Sequence, residues 1–456
     1  LAVGFAALAA GGLADLDPVS AARGARARVS EAVVPAVVDR WQARGGTHWV
    51  ASWGASPQAA VPGDRAARGF KRETIRNIVF TSVGGSRIRV RFTNLFGALP
   101  LEVGAAAIGI QRSGAALVRG TSLPLSFAGR RSVLIAPGSD AFSDPVHLPV
   151  LPLTKLAVSL YLPYATGPAT QHFDAQQVSY LGIGNHVRDI GASALRVPIR
   201  SWYFVDGVDV WTPSRVLGTI VALGDSITDG VRSPMNANAR WPNDLARRLD
   251  ALRGPTLGVV DEGIGGNRIL NDSLCCGLAA ISRFALDVAA QPGATEVILL
   301  EGINDIGFAQ HTGHLTAPNA DVSAAQIVSG DEAIIRQAHA AGLKIFGSTL
   351  TPFAGARYWT PEGEAKRDAV NRWIRTSESF DGVIDFARAV ADATDPAILN
   401  PAYDSGDHLH PNAAGYAAMA RAINLAMLTS AASHRRGAVG GPAAAAADSD
   451  SAARSR

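Results

Sequence analysis

The second half of the chain alternates short apolar runs with longer segments of helical pattern. Five apolar runs in succession, separated by helices, are typical of a parallel sheet covered by helices on both faces. The pattern predicts a three-layer α/β/α domain over residues 213–432, with a last helix from about Asn412 to about Thr429. The carboxyl ends of parallel strands meet at one edge, where ligands bind. The predicted strands are residues 216–223, 256–260, 296–300, 343–350 and 382–386.

Residues 46–212 show a different pattern, with short β-branched and aromatic stretches between Gly, Pro, Asn and Asp. In residues 88–92, IRVRF, apolar and Arg residues alternate with period two, as in a half-buried antiparallel strand. Closely spaced strands without long helices predict a β-sandwich or jelly roll. We therefore expect two folded domains, preceded by a leader over residues 1–45. Residues 433–456 contain almost nothing to bury and are predicted to be disordered.

Three of the predicted strands in the second half end in residues suited to catalysis. Ser226, in GDSIT, follows the first strand and precedes a helical turn, where backbone N–H groups can stabilise an oxyanion. Gly266 lies in the glycine-rich EGIGGN after the second strand, where the backbone can approach a ligand closely. Asn304, in GIND after the third strand, is a neutral donor for the same purpose. Each group alone also fits a helix cap or a tight turn.

A fourth group, DHLHP, precedes the last helix. Asp407 lies three residues before His410, a spacing that lets the carboxylate bind one imidazole nitrogen while the other faces outward. That pair suits a general base. His408 competes for the role, because in an extended segment it shares a face with His410. Asp407, His408 and His410 together also fit a metal-binding loop, and both alternatives stay open at this point.

The four groups together resemble the motif blocks of the SGNH hydrolases, also called GDSL esterases: Gly224-Asp225-Ser226, Gly266, Asn304 and Asp407-x-x-His410. The resemblance covers residues 216 to about 428 and implies a flavodoxin-like α/β/α domain. It implies that Ser226 is the nucleophile, His410 the base and Asp407 the partner of His410. It also implies an oxyanion hole made of the Ser226 N–H, the Gly266 N–H and the Asn304 side chain, with no metal and no cofactor.

One residue departs from the family pattern, and a second, less specific resemblance accompanies the first. Glu262 stands where the family often has Asn or a similar polar residue ahead of the first glycine. Residues 49–53 and 75–97 are similar to the β-rich region that precedes the SGNH domain in a group of two-domain bacterial esterases.

Composition and the chain ends bear on partners and compartment. Charged residues make up 18% of the 456 residues, and the net charge is only +3, which does not favour a nucleic-acid partner. The apolar, small residues 1–14 are typical of a clipped signal peptide and predict a secreted or periplasmic protein. No run reaches the roughly 20 apolar residues of a membrane-spanning helix, so stable membrane insertion is not expected. Cys275 and Cys276 are adjacent, and we favour their interpretation as free thiols, because a disulfide between neighbours strains the peptide between them; the sequence leaves their redox state open.

These patterns predict a serine esterase that hydrolyses small acyl esters, acetyl esters in particular, through an acyl-enzyme. A polysaccharide ester is the favoured substrate, since export and an added β-domain suit a polymer. Within the same chemistry the alternatives are a lipid or lysophospholipid esterase, a thioesterase and an acyltransferase. An alternative of another class is a carbohydrate-binding module whose hydrolase domain is vestigial. The acyl chain length, the role of the β-domain and the oligomeric state stay open.

Overall fold

The computed structural model describes residues 48–213 and 215–429, and the predicted leader and tail lie outside these described residues. We call residues 48–213 the β-domain and residues 215–429 the α/β domain. The strands are β1 His48–Gly54, β2 Glu73–Phe80, β3 Arg87–Thr93, β4 Leu101–Val103, β5 Ala105–Ser113, β6 Ala116–Leu117, β7 Leu123–Pro124, β8 Val133–Ile135, β9 Asp140–Phe142, β10 Lys155–Leu162, β11 Gln171–His172, β12 Ser179–Ile183, β13 Val197–Ile199, β14 Trp202–Tyr203, β15 Val205–Thr212, β16 Val216–Gly224, β17 Thr256–Gly263, β18 Ala294–Leu300, β19 Lys344–Ser348 and β20 Gly382–Ile384. The helices are α1 Arg65–Arg68, α2 Ser226–Asp229, α3 Trp241–Asp250, α4 Ala280–Phe284, α5 Ile303–Gly307, α6 Ala324–Ala340, α7 Pro361–Thr376, α8 Phe386–Val390 and α9 Ala413–Ala422.

The β-domain consists mainly of two antiparallel sheets, in the orders β1-β15-β3-β9 and β13-β12-β2-β10-β5-β6, with β7 paired to β5. The alternation in IRVRF has the expected effect, because Ile88, Val90 and Phe92 are fully buried. These side chains and those of β2 and β10 belong to one apolar core, so the two sheets pack face to face. The predicted β-sandwich is confirmed.

The α/β domain is built on a parallel sheet in the order β17-β16-β18-β19-β20. Helix α9 contacts α3 and α8 in one layer, and helix α6 contacts α4 and α7 in another layer. The predicted α/β fold and all five predicted strands are present. The expected last helix is wrong in one respect: α9 ends at Ala422, because the next residue, Ile423, has a ψ of 122° that is not helical, and helical turns resume only at residues 425–429.

The three strands that precede the candidate catalytic groups end side by side. Gly224 at the end of β16 is in register with Gly263 of β17 and with Leu300 of β18. Ser226, Gly266 and Asn304 therefore follow neighbouring strands at one edge of the sheet. Among the described residues, no helix combines the length and the apolar composition that crossing a membrane requires.

The two domains share a buried interface. The N–H of Ala51 in β1 donates to the carbonyl of Pro292 at 2.7 Å, and its carbonyl accepts from Thr219 Oγ1 at 3.0 Å. The N–H of Val259 in β17 donates to Ser82 Oγ at 2.9 Å. Strand β17 is the edge of the parallel sheet, so the β-domain covers an edge that would otherwise be open to pairing.

Candidate active site

Ser226 lies at the first residue of the four-residue helix α2. The preceding Asp225 caps this helix, since its carboxylate accepts from the Ile227 N–H at 2.8 Å. Gly224 is required by close packing, because a Cβ there would lie 2.4 Å from the Leu300 carbonyl oxygen. Gly230 ends the helix in the left-handed conformation with φ of 78°. The segment thus fixes Ser226 between a strand end and a short capped helix.

Three side chains from two distant segments meet at this point. His410 Nε2 lies 2.9 Å from Ser226 Oγ, and His410 Nδ1 lies 2.9 Å from Asp407 Oδ2. Ser226 is only 6% exposed. The structure therefore brings together Ser226, His410 and Asp407, which the sequence singled out separately, in the order hydroxyl, imidazole, carboxylate.

Asp407 is held in an environment that keeps it ionised. Its Oδ1 accepts from the main-chain N–H groups of Leu409 and His410 at 3.1 and 2.9 Å, and Arg232 Nε donates to Oδ2 at 3.1 Å. Burial raises the pKa of the Asp407 carboxyl, but the hydrogen bonds from the His410 ring and main chain lower that pKa by more, so it lies well below its ordinary value. The carboxylate can accept from the imidazole at any physiological pH.

His408 faces away from the serine. Its backbone has φ of 60°, and its Nδ1 lies 2.7 Å from Asp404 Oδ2. The His408 side chain is 56% exposed. Of the two competing histidines, His410 is the one that contacts Ser226. The three possible ligands of the alternative metal loop do not converge on one point, and the described residues contain no group of three or more His, Cys, Asp and Glu arranged to hold a metal ion.

The two remaining candidate residues follow neighbouring strands, Gly266 in a loop and Asn304 in the first turn of α5. Gly266 has φ of 74°, in the left-handed region that favours glycine. Asn304, buried at the start of α5, donates from Nδ2 to the carbonyl of Asn267 at 2.9 Å. Because an amide nitrogen carries two hydrogens, one of them remains for a ligand. Tyr358 donates its hydroxyl to Asn304 Oδ1 at 3.3 Å, which fixes the orientation of the amide.

The interpretation of the cysteines as free thiols is wrong. Cys275 and Cys276 are joined by a disulfide, although their Cα atoms are only 3.8 Å apart. They lie in a tight turn in which the Ser273 N–H donates to the carbonyl of Gly277 at 2.9 Å, and this turn allows the two sulfurs to meet. The bridge adjoins the glycine-rich loop, since a Cβ on Gly266 would lie 2.6 Å from Cys276 Sγ.

Arg283, fully buried in α4, supports the loops behind the site, and the sequence analysis did not single it out. Its Nη2 donates to the carbonyl of Gly224 at 2.9 Å, and its Nη1 donates to the carbonyl of Glu262 at 2.7 Å. Nη1 also contacts Ser56 Oγ at 2.8 Å and Asp287 Oδ2 at 3.1 Å, while Nε donates to the side chain of residue 267 at 3.0 Å. One guanidinium thus ties the strand before Ser226 to the strand before Gly266.

Glu262, the departure from the family pattern, faces the β-domain. Its Oε2 accepts from Ser56 Oγ at 2.7 Å, and its Oε1 accepts from Gln291 Nε2 at 2.8 Å. Burial and the nearby Asp287 carboxylate raise the pKa of Glu262 well above its ordinary value. The residue therefore belongs to the contact between the domains.

A scan against protein families matches residues 222–418 to the GDSL-like Lipase/Acylhydrolase family. A search of curated protein sequences found no match. Among solved structures, the chain is similar to a lipolytic protein of the G-D-S-L family from Desulfitobacterium hafniense, with 21% identity over 45% of this chain and 99% of that chain and a TM-score of 0.34. It is similar to an acetylxylan esterase from Geobacillus stearothermophilus, with 21% identity over 45% and 91% of the two chains and a TM-score of 0.35. It is also similar to an arylesterase from Agrobacterium tumefaciens, with 22% identity over 48% and 99% and a TM-score of 0.32.

The family match spans the four sequence groups from the segment around Ser226 to the segment around His410. The same span contains the end of β16 and the other four strands of the parallel sheet whose edge carries these groups. Residues 222–418 therefore belong to the GDSL-like lipase/acylhydrolase family, and the protein is a carboxylic ester hydrolase.

Proposed function

We propose that the protein is a serine esterase in which Ser226 is the nucleophile, His410 the general base and Asp407 the group that orients His410. The observation that carries the proposal is the continuous hydrogen-bond chain from Asp407 through His410 to Ser226 Oγ. Since the carboxylate can only accept, Nδ1 carries the proton, and Nε2 is left as the acceptor for the serine hydroxyl. This is the arrangement that activates a serine at neutral pH.

The reaction then follows two matched steps. Ser226 Oγ attacks the ester carbonyl carbon while its proton moves to His410 Nε2, and a tetrahedral intermediate forms. Its collapse breaks the bond to the alcohol oxygen, which takes the proton from Nε2, and leaves an acyl group on Ser226. Water attacks this acyl group, gives its proton to Nε2, and the carboxylic acid leaves as Ser226 regains its proton.

The proposed oxyanion hole consists of the main-chain N–H groups of Ser226 and Gly266 and the side-chain amide of Asn304. The positive φ of Gly266 and the available second hydrogen of Asn304 Nδ2 support this assignment. In other hydrolases one such donor contributes about 3 to 4 kcal/mol to the transition state.

We propose a small acyl group, acetyl in particular. The surroundings of the site support this size: Ser226 and Asn304 are buried, and Cys276 and Phe308 close the space beside Gly266, with Phe308 Cζ 3.3 Å from where a Cβ would lie. A short acyl chain needs little room there.

A hydrophilic alcohol, such as a polysaccharide hydroxyl, is the proposed other half of the ester. The exposed side chains beside the catalytic loop are charged or polar, since Arg232 and His408 are 58% and 56% exposed. Polar side chains at the rim of the site can hydrogen-bond to a sugar but offer no apolar surface to a lipid chain.

We also propose that the protein acts outside the cytoplasm, because disulfides persist in oxidising compartments. The Cys275–Cys276 bridge supports this. Alkylation and mass spectrometry of the protein from its native cells tests it, and two alkylated thiols would contradict it.

The nucleophile assignment is tested by Ser226→Ala with p-nitrophenyl acetate. We expect kcat to fall about a thousandfold or more, and we expect a fluorophosphonate to label Ser226 in the wild type but not in the variant. Unchanged turnover by Ser226→Ala would refute the assignment.

The base is tested by a matched pair in one loop. His410→Ala should lose about as much activity as the serine variant, whereas His408→Ala should stay within about threefold of the wild type. Equal large losses in both variants, or a greater loss in His408→Ala, would refute the choice of His410.

The substrate class is tested by two comparisons: p-nitrophenyl esters of acetate, butyrate and octanoate, and acetate release from acetylated glycans. We expect the highest kcat/KM with acetate and release from at least one glycan. A preference for octanoate would instead favour the lipid esterase.

A further inference from the structure

A buried histidine of the β-domain touches the helix that begins at Ser226. His172, in β11, is 3% exposed, and its Nε2 lies 3.1 Å from Asp229 Oδ1 at the other end of α2. Its Nδ1 lies 3.0 Å from the carbonyl oxygen of Ser56. The ring also packs against Trp202, with centroids 5.3 Å apart. Nothing in the proposed reaction uses this side chain directly.

Both partners of the His172 ring can only accept hydrogen bonds, since one is a carbonyl oxygen and the other a carboxylate. The ring must carry a proton on each nitrogen to satisfy both, which makes it an imidazolium. Burial lowers the pKa of His172, but the Asp229 carboxylate and the hydrogen bond to the Ser56 carbonyl together raise that pKa by more, so it lies above its ordinary value. The contact with Asp229 is therefore a buried ion pair.

The remaining contacts of α2 show how tightly its end is held. Arg240 Nε donates to the carbonyl of Asp229 at 2.5 Å, and its Nη2 donates to the carbonyl of Ala175 in the β-domain. Gly263 packs against the helix backbone, because a Cβ there would lie 2.3 Å from the Asp229 N atom. Asp229 and Ser226 are three residues apart, about 4.5 Å along the helix axis. A helix this short cannot absorb a shift at one end, so a displacement of Asp229 moves Ser226.

We propose that His172 is a positioning residue of the active site: through Asp229 it holds helix α2 and so sets Ser226 Oγ against His410 Nε2. This rests on the proposed role of Ser226. The β-domain then contributes a residue that positions the nucleophile, and its placement against α2 affects the chemical step. The acetyl ester itself is not expected to touch His172, because the ring is buried.

Two substitutions separate the two hydrogen bonds of the ring. In His172→Gln the side-chain amide nitrogen takes the position of Nε2, so the contact with Asp229 is kept and the contact with Ser56 is lost. In His172→Asn the amide nitrogen takes the position of Nδ1, so the contact with Ser56 is kept and the contact with Asp229 is lost. Both variants remove one buried hydrogen bond and the positive charge, so they differ mainly in which of the two contacts is kept.

The experiment measures kcat and KM for p-nitrophenyl acetate and the thermal midpoint for both variants. We expect His172→Asn to lower kcat about tenfold to a hundredfold, since a misplacement near 1 Å has an effect of this size. His172→Gln should stay within about threefold, and KM should change less than about twofold in both. Equal kcat losses in the two variants, or a loss confined to KM, would overturn the proposal.

A second route approaches the contact from α2 and does not depend on the folding of the His172 variants. Asp229→Ala removes the acceptor and should lower kcat about tenfold or more. Combined with His172→Asn it should lower kcat no further, because both changes remove one interaction. Wild-type kcat in Asp229→Ala, or multiplying losses in the double variant, would overturn the proposal. Failure of the proposed function is distinguishable, since the wild-type protein would then neither turn over the ester nor be labelled at Ser226.

Discussion

Replacing Arg283 by lysine keeps the positive charge but changes how many acceptors it can reach. The guanidinium carries five N–H donors in a fixed planar arrangement, whereas a lysine ammonium carries three. In this site four of these hydrogens serve five buried acceptors: Nε donates to the Asn267 amide oxygen, Nη2 donates to the Gly224 carbonyl, and the two Nη1 hydrogens are shared among the Glu262 carbonyl, Ser56 Oγ and Asp287 Oδ2. Lysine leaves at least two of them without a donor.

The expected loss follows from that count. A buried acceptor left without its hydrogen bond costs about 1 to 3 kcal/mol, so two of them lower the free energy of unfolding by about 2 to 6 kcal/mol. This is a large part of the 5 to 15 kcal/mol that stabilises a typical domain. The released Gly224 and Glu262 carbonyls lie just before the catalytic loops, so we also expect a loss in kcat.

Urea unfolding followed by tryptophan fluorescence measures the first effect, and p-nitrophenyl acetate turnover measures the second. Arg336→Lys is the matched control, because Arg336 is 68% exposed and lies 3.9 Å from Glu332 in a surface pair of little energetic weight. A change below about 0.5 kcal/mol in Arg283→Lys, equal to that of the control, would refute this account of Arg283.

Three further predictions concern single residues. Gly266→Ala places a Cβ 2.6 Å from Cys276 Sγ at a φ of 74° and should lower kcat about a hundredfold. In the control Gly313→Ala the nearest atom is 3.7 Å away, so kcat should stay near the wild-type value. Equal kcat values for the two variants would contradict this prediction. Tyr358→Phe removes the hydroxyl that holds Asn304 and should lower kcat about two- to tenfold with KM unchanged, and an effect on KM alone would count against it. Burial raises the pKa of Asp261 from 3.8 to about 7, so the protonated form stabilises the fold fully below about pH 4, and this contribution is lost as the pH rises through 7. Calorimetry should therefore show a decline in wild-type stability over this range, about 1.4 kcal/mol per pH unit from this group, and a shallower decline in Asp261→Asn; parallel curves would be the contrary result.

The α/β fold, the sheet edge that carries the candidate residues, and the Asp407–His410 pair could be predicted because each depends on local patterns. Each strand is an apolar run that ends in a recognisable turn, and neighbouring parallel strands end at the same edge, which brings together the segments of Ser226, Gly266 and Asn304. Asp407 and His410 meet through a turn of four residues. These steps require no knowledge of contacts between distant segments, whereas the contact between His410 and Ser226, which are 184 residues apart, followed only from the family resemblance.

The contacts between the domains could not be predicted in the same way. His172 and Asp229 are separated by 57 residues, and Ser56 and Arg283 by 227, whereas periodicity describes only neighbours within a few turns. The sequence did contain one signal for these contacts, because Arg283 stands within an apolar helical segment. A charged residue at a position expected to be buried indicates a buried hydrogen-bond network. The spacing of the loop left His408 and His410 both open, and only the resemblance favoured His410, because the contact of His410 with Ser226 joins segments 184 residues apart.

The interface near the catalytic loops is polar, and this affects how the two domains dock. Ser56 and His172 of the β-domain meet Glu262 and Asp229 of the α/β domain, and all four residues are buried. The His172–Asp229 ion pair adds little stability over apolar packing of the same volume, but separating its partners costs about 3 to 5 kcal/mol, because an uncompensated charge stays buried. A shift between the domains separates Asp229 from His172 and also breaks the hydrogen bond from Ser56 to Glu262. The polar contacts therefore select one docking position, and in that position Ser226 Oγ lies 2.9 Å from His410 Nε2.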